Sequence, residues 1–376
     1  MKVLHIINSL TTGGAEKLLL DSLPIYQKYE VEADVLLLNS NKTPFYNEFT
    51  MNFNGNILTS KYSSIYNPLQ IFQIHKYSKD YDLINVHLFP SLYWAAISKL
   101  IFRHGVPLVF TEHSTWNKRI DNYFFSKVDR IIYYAYQKII AITPQVKEKL
   151  ISNLHIDENK IEVIYNGVNI QTYFQSIALN VRQFFPNNIP IKVLIQVSNF
   201  HEAKDQKTVI NALTQLPPHY CLLLVGEGKL KAECEFLVKE LKLNDRVLFL
   251  GNRMDVPKLL KASDIVIQSS HWEGFGLAAV EGMAAGKPVI ASDVSGLSEI
   301  VKGSGLTFEE GDFKDLAKKI LLLEDKTYYQ HITNLCIEKS KKFDVQNMIK
   351  LYINLYHEIS KNANKKRCFC NLFDFF

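Results

Sequence analysis

The chain has 376 residues, 47% of them hydrophobic, with 43 basic and 38 acidic side chains and a formal net charge of +5. That length suits two domains with cores of their own, so no disulfide or metal staple is required for stability. The charge fits an anionic small ligand or a membrane surface and is too weak to argue for nucleic acid. The five cysteines, Cys221, Cys234, Cys336, Cys368 and Cys370, are odd in number and scattered, which excludes a disulfide framework, and Cys368 and Cys370 lack a second pair to complete a zinc site.

The opening MKVLHIINSL sets one charge before a short apolar run that stops at polar residues, which predicts a first β-strand rather than a signal peptide. No run of about 18 apolar residues occurs, so no transmembrane helix is expected, and a reducing cytoplasm is the expected location. Near-continuous apolar runs predict buried parallel strands at Val3–Ile7, Asp34–Leu38, Leu83–Leu88, Pro107–His113, Ile139–Thr143 and Glu162–Asn166. Helical patterns fall between them at Ala15–Tyr29, Pro68–Lys79, Ser91–Arg103 and Ser126–Gln137. The pattern restarts with strands at Lys192–Ser198, Tyr220–Gly226, Arg246–Gly251, Asp264–Ser270 and Lys287–Asp293. Alternating βα units predict two doubly wound, Rossmann-like α/β domains whose strand C-termini face a shared cleft. The Asn180–Pro190 stretch, with Pro186 and Pro190 and no apolar period, marks the boundary. The expected division is an N-terminal domain over 1–185, a C-terminal domain over 186–345, a helix over 346–360, and a basic, aromatic tail over 361–376.

Several common motifs are absent. Gly282 and Gly286 are separated by three residues and followed by Lys287-Pro288, so they make no P-loop; a helix end before a strand is the plainer reading. Gly226-Glu227-Gly228 follows a strand but has no third glycine at dinucleotide spacing, and neither a His-Glu-x-x-His zinc motif nor a nucleophile elbow occurs.

Three segments carry chemistry. Thr11-Thr12-Gly13-Gly14-Ala15-Glu16 joins the first strand to the first helix; it reads equally as a phosphate site at a helix N-terminus or as a tight turn with glycines at positive φ. His113 ends a strand in Thr111-Glu112-His113-Ser114, where a structural histidine bonded to a loop carbonyl is the plainer reading from the residues alone. The most specific is Glu273-Gly274-Phe275-Gly276-Leu277-Ala-Ala-Val-Glu281, continuing as Gly-Met-Ala-Ala-Gly-Lys-Pro-Val-Ile-Ala-Ser292. Two carboxylates beside a glycine-rich helix start suit sugar recognition, because carboxylates accept from hydroxyls and backbone N–H groups donate to phosphate. A helix N-terminus with favourable acidic residues is the bland alternative.

This last string resembles the Glu-x7-Glu signature of the retaining family 4 glycosyltransferases of the GT-B fold. HIINSLTTGGAEKLLLDSL, VIYNGVNIQTYF, VSNFHEAKDQ, VGEGKL, FLGNRMDVPKLLKASD and FDVQNMIKLYINLY also resemble the family in place and order, over about residues 1–360. The resemblance implies a C-terminal domain that holds a nucleoside diphosphate sugar, UDP first and GDP second, and an N-terminal domain that holds the acceptor. By the same resemblance, Glu281 meets the ribose hydroxyls and Glu273 the donor sugar. Backbone N–H groups of Gly274, Phe275, Gly276 and Leu277 meet sugar and phosphate. Gly13 and Gly14 approach the diphosphate, His113 sits by the sugar, Lys204 neutralises the diphosphate, and Arg253 and Met254 frame the base. Glu273, His113 and Lys204 form the catalytic set. No cofactor is implied beyond the nucleotide-sugar, and a metal-independent route is expected, with the leaving phosphate taking the acceptor proton. One departure stands out: the family's usual arginine ahead of the lysine is Asn199 here, with His201 nearby as a substitute cation, and Asn169 replaces an aspartate in the hinge segment.

The expected activity is transfer to a glycan or lipid-linked glycan in cell-surface polysaccharide biosynthesis. A GT-B nucleotide-sugar epimerase, or a non-catalytic nucleotide-sugar-binding protein supported by Asn199, are the alternatives. Aromatic and basic residues in Trp116–Lys138 (Trp116, Lys118, Arg119, Tyr123, Phe124, Phe125, Lys127, Arg130, Tyr133, Tyr134, Tyr136, Lys138) suit an anionic membrane or equally an ordinary helix. The tail, with Lys361, Lys365, Lys366 and Arg367 before Phe369, Leu372, Phe373, Phe375 and Phe376, suits the membrane or a disordered end.

Overall fold

The structure, a computed structural model, describes residues 1–11, 13–39, 41–114, 123–185 and 191–373. The chain forms two compact units, Met1–Gly167 with Val345–Phe376, and Val168–Asp344.

In the first unit, strands β1 (Lys2–Ile7), β2 (Glu32–Leu37), β3 (Ile57–Thr59), β4 (Leu83–His87), β5 (Leu108–Glu112), β6 (Lys138–Ala141) and β7 (Ile161–Val163) form one parallel sheet in the order β3-β2-β1-β4-β5-β6-β7. The helices between them are α1 (Gly14–Tyr26), α2 (Pro44–Asn52), α3 (Gln70–Ser78), α4 (Ser91–Phe102), α5 (Tyr123–Tyr134) and α6 (Pro144–Leu154). β1, β4 and β5 are buried along almost their whole length, which is why they are mostly apolar rather than alternating, with His5, Asn85, His87, Thr111 and Glu112 as buried polar exceptions. Thr143 accepts a hydrogen bond from the Val146 N–H and is followed by Pro144, so α6 starts where its first orphan N–H is satisfied and proline costs nothing.

The second unit holds α7 (Ile170–Phe174), β8 (Lys192–Val197), α8 (Gln206–Ala212), β9 (Tyr220–Val225), α9 (Lys231–Glu240), β10 (Val247–Gly251), α10 (Val256–Ala262), β11 (Ile265–Gln268), α11 (Leu277–Ala284), β12 (Val289–Ser292), α12 (Ser298–Val301), β13 (Leu306–Phe308), α13 (Phe313–Leu322) and α14 (Lys326–Lys341). Its sheet is parallel in the order β10-β9-β8-β11-β12-β13. Asp205, Asp312 and Asp325 cap α8, α13 and α14 through their side chains; each such cap contributes about 1 kcal/mol.

The last helix, α15 (Val345–Phe373), returns to the first unit. Val345, Met348, Ile349, Tyr352, Ile353 and Tyr356 join Leu18, Leu19, Leu23 and Tyr26 of α1 over Val3, Ile7, Leu83 and Val109 of the sheet. The apolar positions recur every three to four residues, so one stripe of α15 is buried in that core.

Three expectations are corrected. The first crossing between units falls after Gly167 rather than at 185/186, because α7 packs on α10 and α11 and the Leu179 N–H donates to the Lys258 carbonyl. The second unit accordingly covers Val168–Asp344 and not 186–345. The C-terminal helix continues past residue 360 to Phe373, since no glycine or proline follows Ile359 and the lysines and alanine there are good helix formers. Predicted strands also overran: Leu88 has φ +64, which ends β4 at His87. The short edge strands β3 and β13 were not anticipated, because three residues carry no readable period.

Candidate active site

In the second unit the chain steps outward from β8 to β9 and β10, then returns to the other side of β8 with β11. The sheet order therefore reverses between β8 and β11. Loops leaving the carboxyl ends of such neighbouring strands diverge and open a crevice, the usual ligand position of doubly wound sheets. The loop after β8 carries Asn199, His201 and Lys204; the loop after β11 carries Glu273, Gly274 and Gly276.

These loops are tied to each other. The Asp205 N–H donates to the Ser269 carbonyl at 3.2 Å and the His271 N–H donates to the Ala203 carbonyl at 2.9 Å. Ser292 at the end of β12 accepts from the Ser270 N–H at 2.9 Å and donates to the Ser270 carbonyl at 2.8 Å. This framework brings the Lys204 ammonium onto the Glu273 carboxylate as an ion pair, with both side chains largely buried. Glu273 also accepts from the Gly274 N–H at 3.1 Å, so its carboxylate is held from two sides. Lys204 lies within 3.5 Å of the Ser270 hydroxyl as well.

Glycine is required at specific places around this pair. Gly276 has φ +86 at the N-cap of α11, and a Cβ there would sit 2.6 Å from Leu297 Cδ1. Gly296, at φ +83, backs the loop so closely that a Cβ would lie 2.3 Å from the Glu273 carbonyl oxygen. α11 starts without a side-chain cap, leaving its first turn and positive dipole end directed at the loop. Phe275 anchors the turn inward, edge-on to Phe343 at 5.4 Å. Glu281, one turn into α11, is only 7% exposed.

The structure brings Asn199, His201, Lys204, Glu273, Gly274, Phe275, Gly276, Leu277 and Glu281 to the carboxyl edge of one sheet. It also qualifies two of the expectations. His201 Nδ1 accepts from the Ala203 N–H at 3.2 Å, and burial, followed by the Lys204 charge, holds its pKa below the ordinary imidazole value. That direction disfavours a cation at His201 in the unliganded protein. Arg253 is bound through Nε and Nη2 to both oxygens of Asp255, at 2.8 and 2.7 Å, so its fork is already occupied, while neighbouring Met254 is exposed.

In the first unit the order reverses between β1 and β4. Gly13 is the N-cap of α1 with φ −127, so of the two readings of this segment the positive-φ glycine turn is not what forms there. Glu16 folds back over Gly13, and a Cβ there would meet Glu16 Oε2 at 2.3 Å, so any other residue would displace the end of the Glu16 side chain. Glu16 also accepts from the Thr11 hydroxyl at 2.9 Å, and burial raises its pKa. Thr12 lies outside the described residues. His113 follows β5, half-buried, with Nε2 3.1 Å from Nδ1 of His87 rather than on a loop carbonyl. His87, His5 and Glu16 were not singled out in the sequence, although a polar residue in an otherwise apolar buried strand was a visible signal for the two histidines.

Of the aromatic and basic segment, Trp116, Lys118 and Arg119 lie outside the described residues, as do the side chains of Tyr123 and Phe124 and those of the tail from Lys365 onward. Tyr133 and Tyr136 are core residues; Lys127, Arg130, Ile131 and Tyr134 share an exposed face of α5.

Two parallel-sheet α/β units, each with ligand-type loops at its point of strand reversal, define the class: this is the GT-B glycosyltransferase fold. Anabaena HepE in complex with UDP and glucose superposes with a TM-score of 0.84 at 26% identity, covering 95% of this chain and 100% of that one. Residues 12–172 match glycosyltransferase family 4 and residues 181–343 match the glycosyl transferases group 1. The chain belongs to the group 1 glycosyltransferases of family 4. It is similar to N-acetyl-alpha-D-glucosaminyl L-malate synthase of Bacillus anthracis, at 28% identity over 75% of this chain and 76% of that one. It is also similar to N-acetylgalactosamine-N,N'-diacetylbacillosaminyl-diphospho-undecaprenol 4-alpha-N-acetylgalactosaminyltransferase of Campylobacter jejuni, at 28% identity over 90% and 94%.

Proposed function

We propose that this glycosyltransferase moves a hexose-type sugar from a nucleoside diphosphate donor, UDP-sugar first, to a glycan or lipid-linked glycan acceptor, with retention of anomeric configuration and without a metal ion. The observation that carries the reading is the Lys204–Glu273 ion pair set between two tied loops at the start of α11. The UDP and glucose bound by Anabaena HepE and the diphospho-undecaprenol acceptor in the name of the Campylobacter relative support the donor and acceptor classes.

Breaking the anomeric bond leaves charge on the departing diphosphate. Lys204 is placed to stabilise that charge, and the first turn of α11 adds N–H donors aimed the same way. Glu273 holds Lys204 in position and accepts from sugar hydroxyls; the pairing keeps the ammonium oriented before substrate arrives, so little reorganisation is needed. Glu281 takes the ribose hydroxyls, and the segment at Arg253 and Met254 borders the base. Asn199 supplies an amide where the family resemblance implies an arginine, which leaves Lys204 as the principal positive side chain for the diphosphate. Gly13, Gly14 and His113 are assigned to the sugar and its acceptor. The departing phosphate oxygen takes the acceptor proton. The exposed α5 face, with Lys127, Arg130, Ile131 and Tyr134, supports peripheral contact with the inner face of an anionic membrane.

Screening UDP- and GDP-sugars by thermal stabilisation identifies the donor, because a ligand that binds the native state raises its apparent stability. Proton NMR of the product then reads the linkage. An α-donor giving an α-product, with activity that survives EDTA, is expected; a β-product or activity restored only by manganese overturns the mechanism. Sugar isomerisation with donor alone would identify an epimerase instead.

A further inference from the structure

Three imidazoles form a chain through the core of the first unit. His5 Nδ1 lies 3.2 Å from His87 Nε2, and His87 Nδ1 lies 3.1 Å from His113 Nε2. The register explains how. His5 of β1 pairs with Asn85 of β4, and His87, two residues on, pairs with Thr111 of β5, two residues before His113. Side chains two apart share a face, so the three rings climb diagonally across three adjacent strands towards the carboxyl edge of the sheet. They do so under α1 and α15, with Tyr26 edge-on to His5 at 5.4 Å and Tyr356 at 6.5 Å.

We propose that His5 and His87 are positioning residues that fix the tautomer of His113, so that its Nδ1–H donates from the sheet edge to an oxygen of the substrate. This rests on the glycosyl-transfer reading above for its consequence, but not for its structure. A chain of neutral imidazoles has two uniform states, because each ring donates from one nitrogen and accepts at the other. Either every ring donates towards the sheet edge, or every ring donates towards the core. The inner end decides between them. His5 Nε2 is buried with no hydrogen-bond partner among the described residues. Donation towards the core would strand an N–H there, whereas donation towards the edge strands only a lone pair, and orphaned buried N–H groups are the rarer and costlier case. The edge-directed state makes His5 Nδ1–H donate to His87, His87 Nδ1–H donate to His113 Nε2, and leaves the remaining proton on His113 Nδ1.

The chain does not act as a base. Burial depresses His5 to about 3 and His113 to about 4, and holds His87 well below the ordinary imidazole value. At neutral pH about one His113 ring in a thousand would be protonated. A hydrogen-bond donor of fixed direction is what remains, and an N–H suits the hydroxyl and phosphate oxygens of a nucleotide-sugar.

The test is nitrogen-15 NMR of histidine-labelled protein, which distinguishes protonated from bare ring nitrogens. Wild type should show His113 with Nδ1 protonated and Nε2 bare, with or without ligand; Nε2 protonated, or an average of both tautomers, overturns the proposal. In His87→Phe, the ring of which fills the same space without a donor, His113 should revert to a mixture. If that variant does not fold, His5→Asn serves: its amide can either donate to or accept from His87 Nε2, which removes the bias at the inner end and should weaken the preference with His113 and His87 intact. Either variant should lower kcat/KM by about twofold for an equal mixture of tautomers, and by more as the wrong tautomer prevails, while the nucleoside diphosphate Kd holds. A changed tautomer with unchanged turnover overturns the functional consequence. Absence of glycosyl transfer in wild type, with the predicted tautomer present, would count against the proposed function and not against the chain.

Discussion

Each of the two glutamates around α11 has its own surroundings, and the difference predicts different phenotypes. Glu281 is only 7% exposed, and in the proposed function it takes the ribose hydroxyls. Glu281→Ala should weaken nucleoside diphosphate binding by about 10- to 150-fold, as loss of a charge-assisted hydrogen bond of about 1.5–3 kcal/mol implies, and calorimetry reads this directly. Glu273 is tied to Lys204 and to the Gly274 N–H. Glu273→Gln should lower kcat more than it raises the nucleotide Kd; steady-state kinetics with the reverse pattern would mean the two roles are exchanged. Asn199 stands where the family resemblance implies an arginine, and partial burial and the Lys204 charge lower the pKa of His201. Asn199→Arg should therefore tighten nucleoside diphosphate binding, by up to about tenfold if a charged hydrogen bond forms to phosphate. Unchanged affinity by calorimetry would place the segment away from the phosphate.

The sheet of the first unit stores a pH dependence across β1, β4 and β5. His5 and His113 have folded values of about 3 and about 4, against about 6.5 in an unfolded chain. Between those limits the unfolded state binds more protons than the folded one. Stability is therefore complete above about pH 6.5 and falls as pH drops through that value towards the folded pKa values. At pH 5 each ring that stays neutral contributes a loss of about 2 kcal/mol. Glu16 and Asp21, both raised by burial, act in the opposite direction over part of the same range, so the useful quantity is a difference. Urea unfolding at pH 7 and pH 5 should show a smaller acid loss in His87→Phe than in wild type; equal losses would mean that the rings titrate normally in the fold.

For the whole molecule, the open question is where the acceptor is met. No helix among the described residues is long and apolar enough to cross a membrane. The α5 face combines Lys127 and Arg130 with Ile131 and Tyr134, which are 63% and 79% exposed. Each cation near an anionic leaflet is worth about 1 kcal/mol. Replacing Lys127 and Arg130 by glutamine should reduce co-sedimentation with anionic liposomes by about 10-fold or more while leaving soluble nucleotide binding intact. Equal, negligible binding of both proteins to anionic and neutral liposomes would favour a soluble acceptor.

The residues alone determined that two parallel α/β units form, because strands buried on both faces must be largely apolar and the helices between them must carry a 3.6-residue stripe. They also determined the group at α11, since Glu273, Gly276 and Glu281 lie within nine residues and their spacing on one loop and one helix is local. Tertiary structure decided what depends on register and long-range pairing. Lys204 meets Glu273 only because β8 and β11 are neighbours in the sheet. The hand-over between units falls after Gly167 because α7 finds its packing partners some 90 to 110 residues further on, in α10 and α11. His5, His87 and His113 are more than 100 residues apart from end to end, and only the diagonal register of three strands makes one chain of them. Local patterns follow from the period of a single element, whereas contacts between elements follow from which strands pair and by how many residues they are offset.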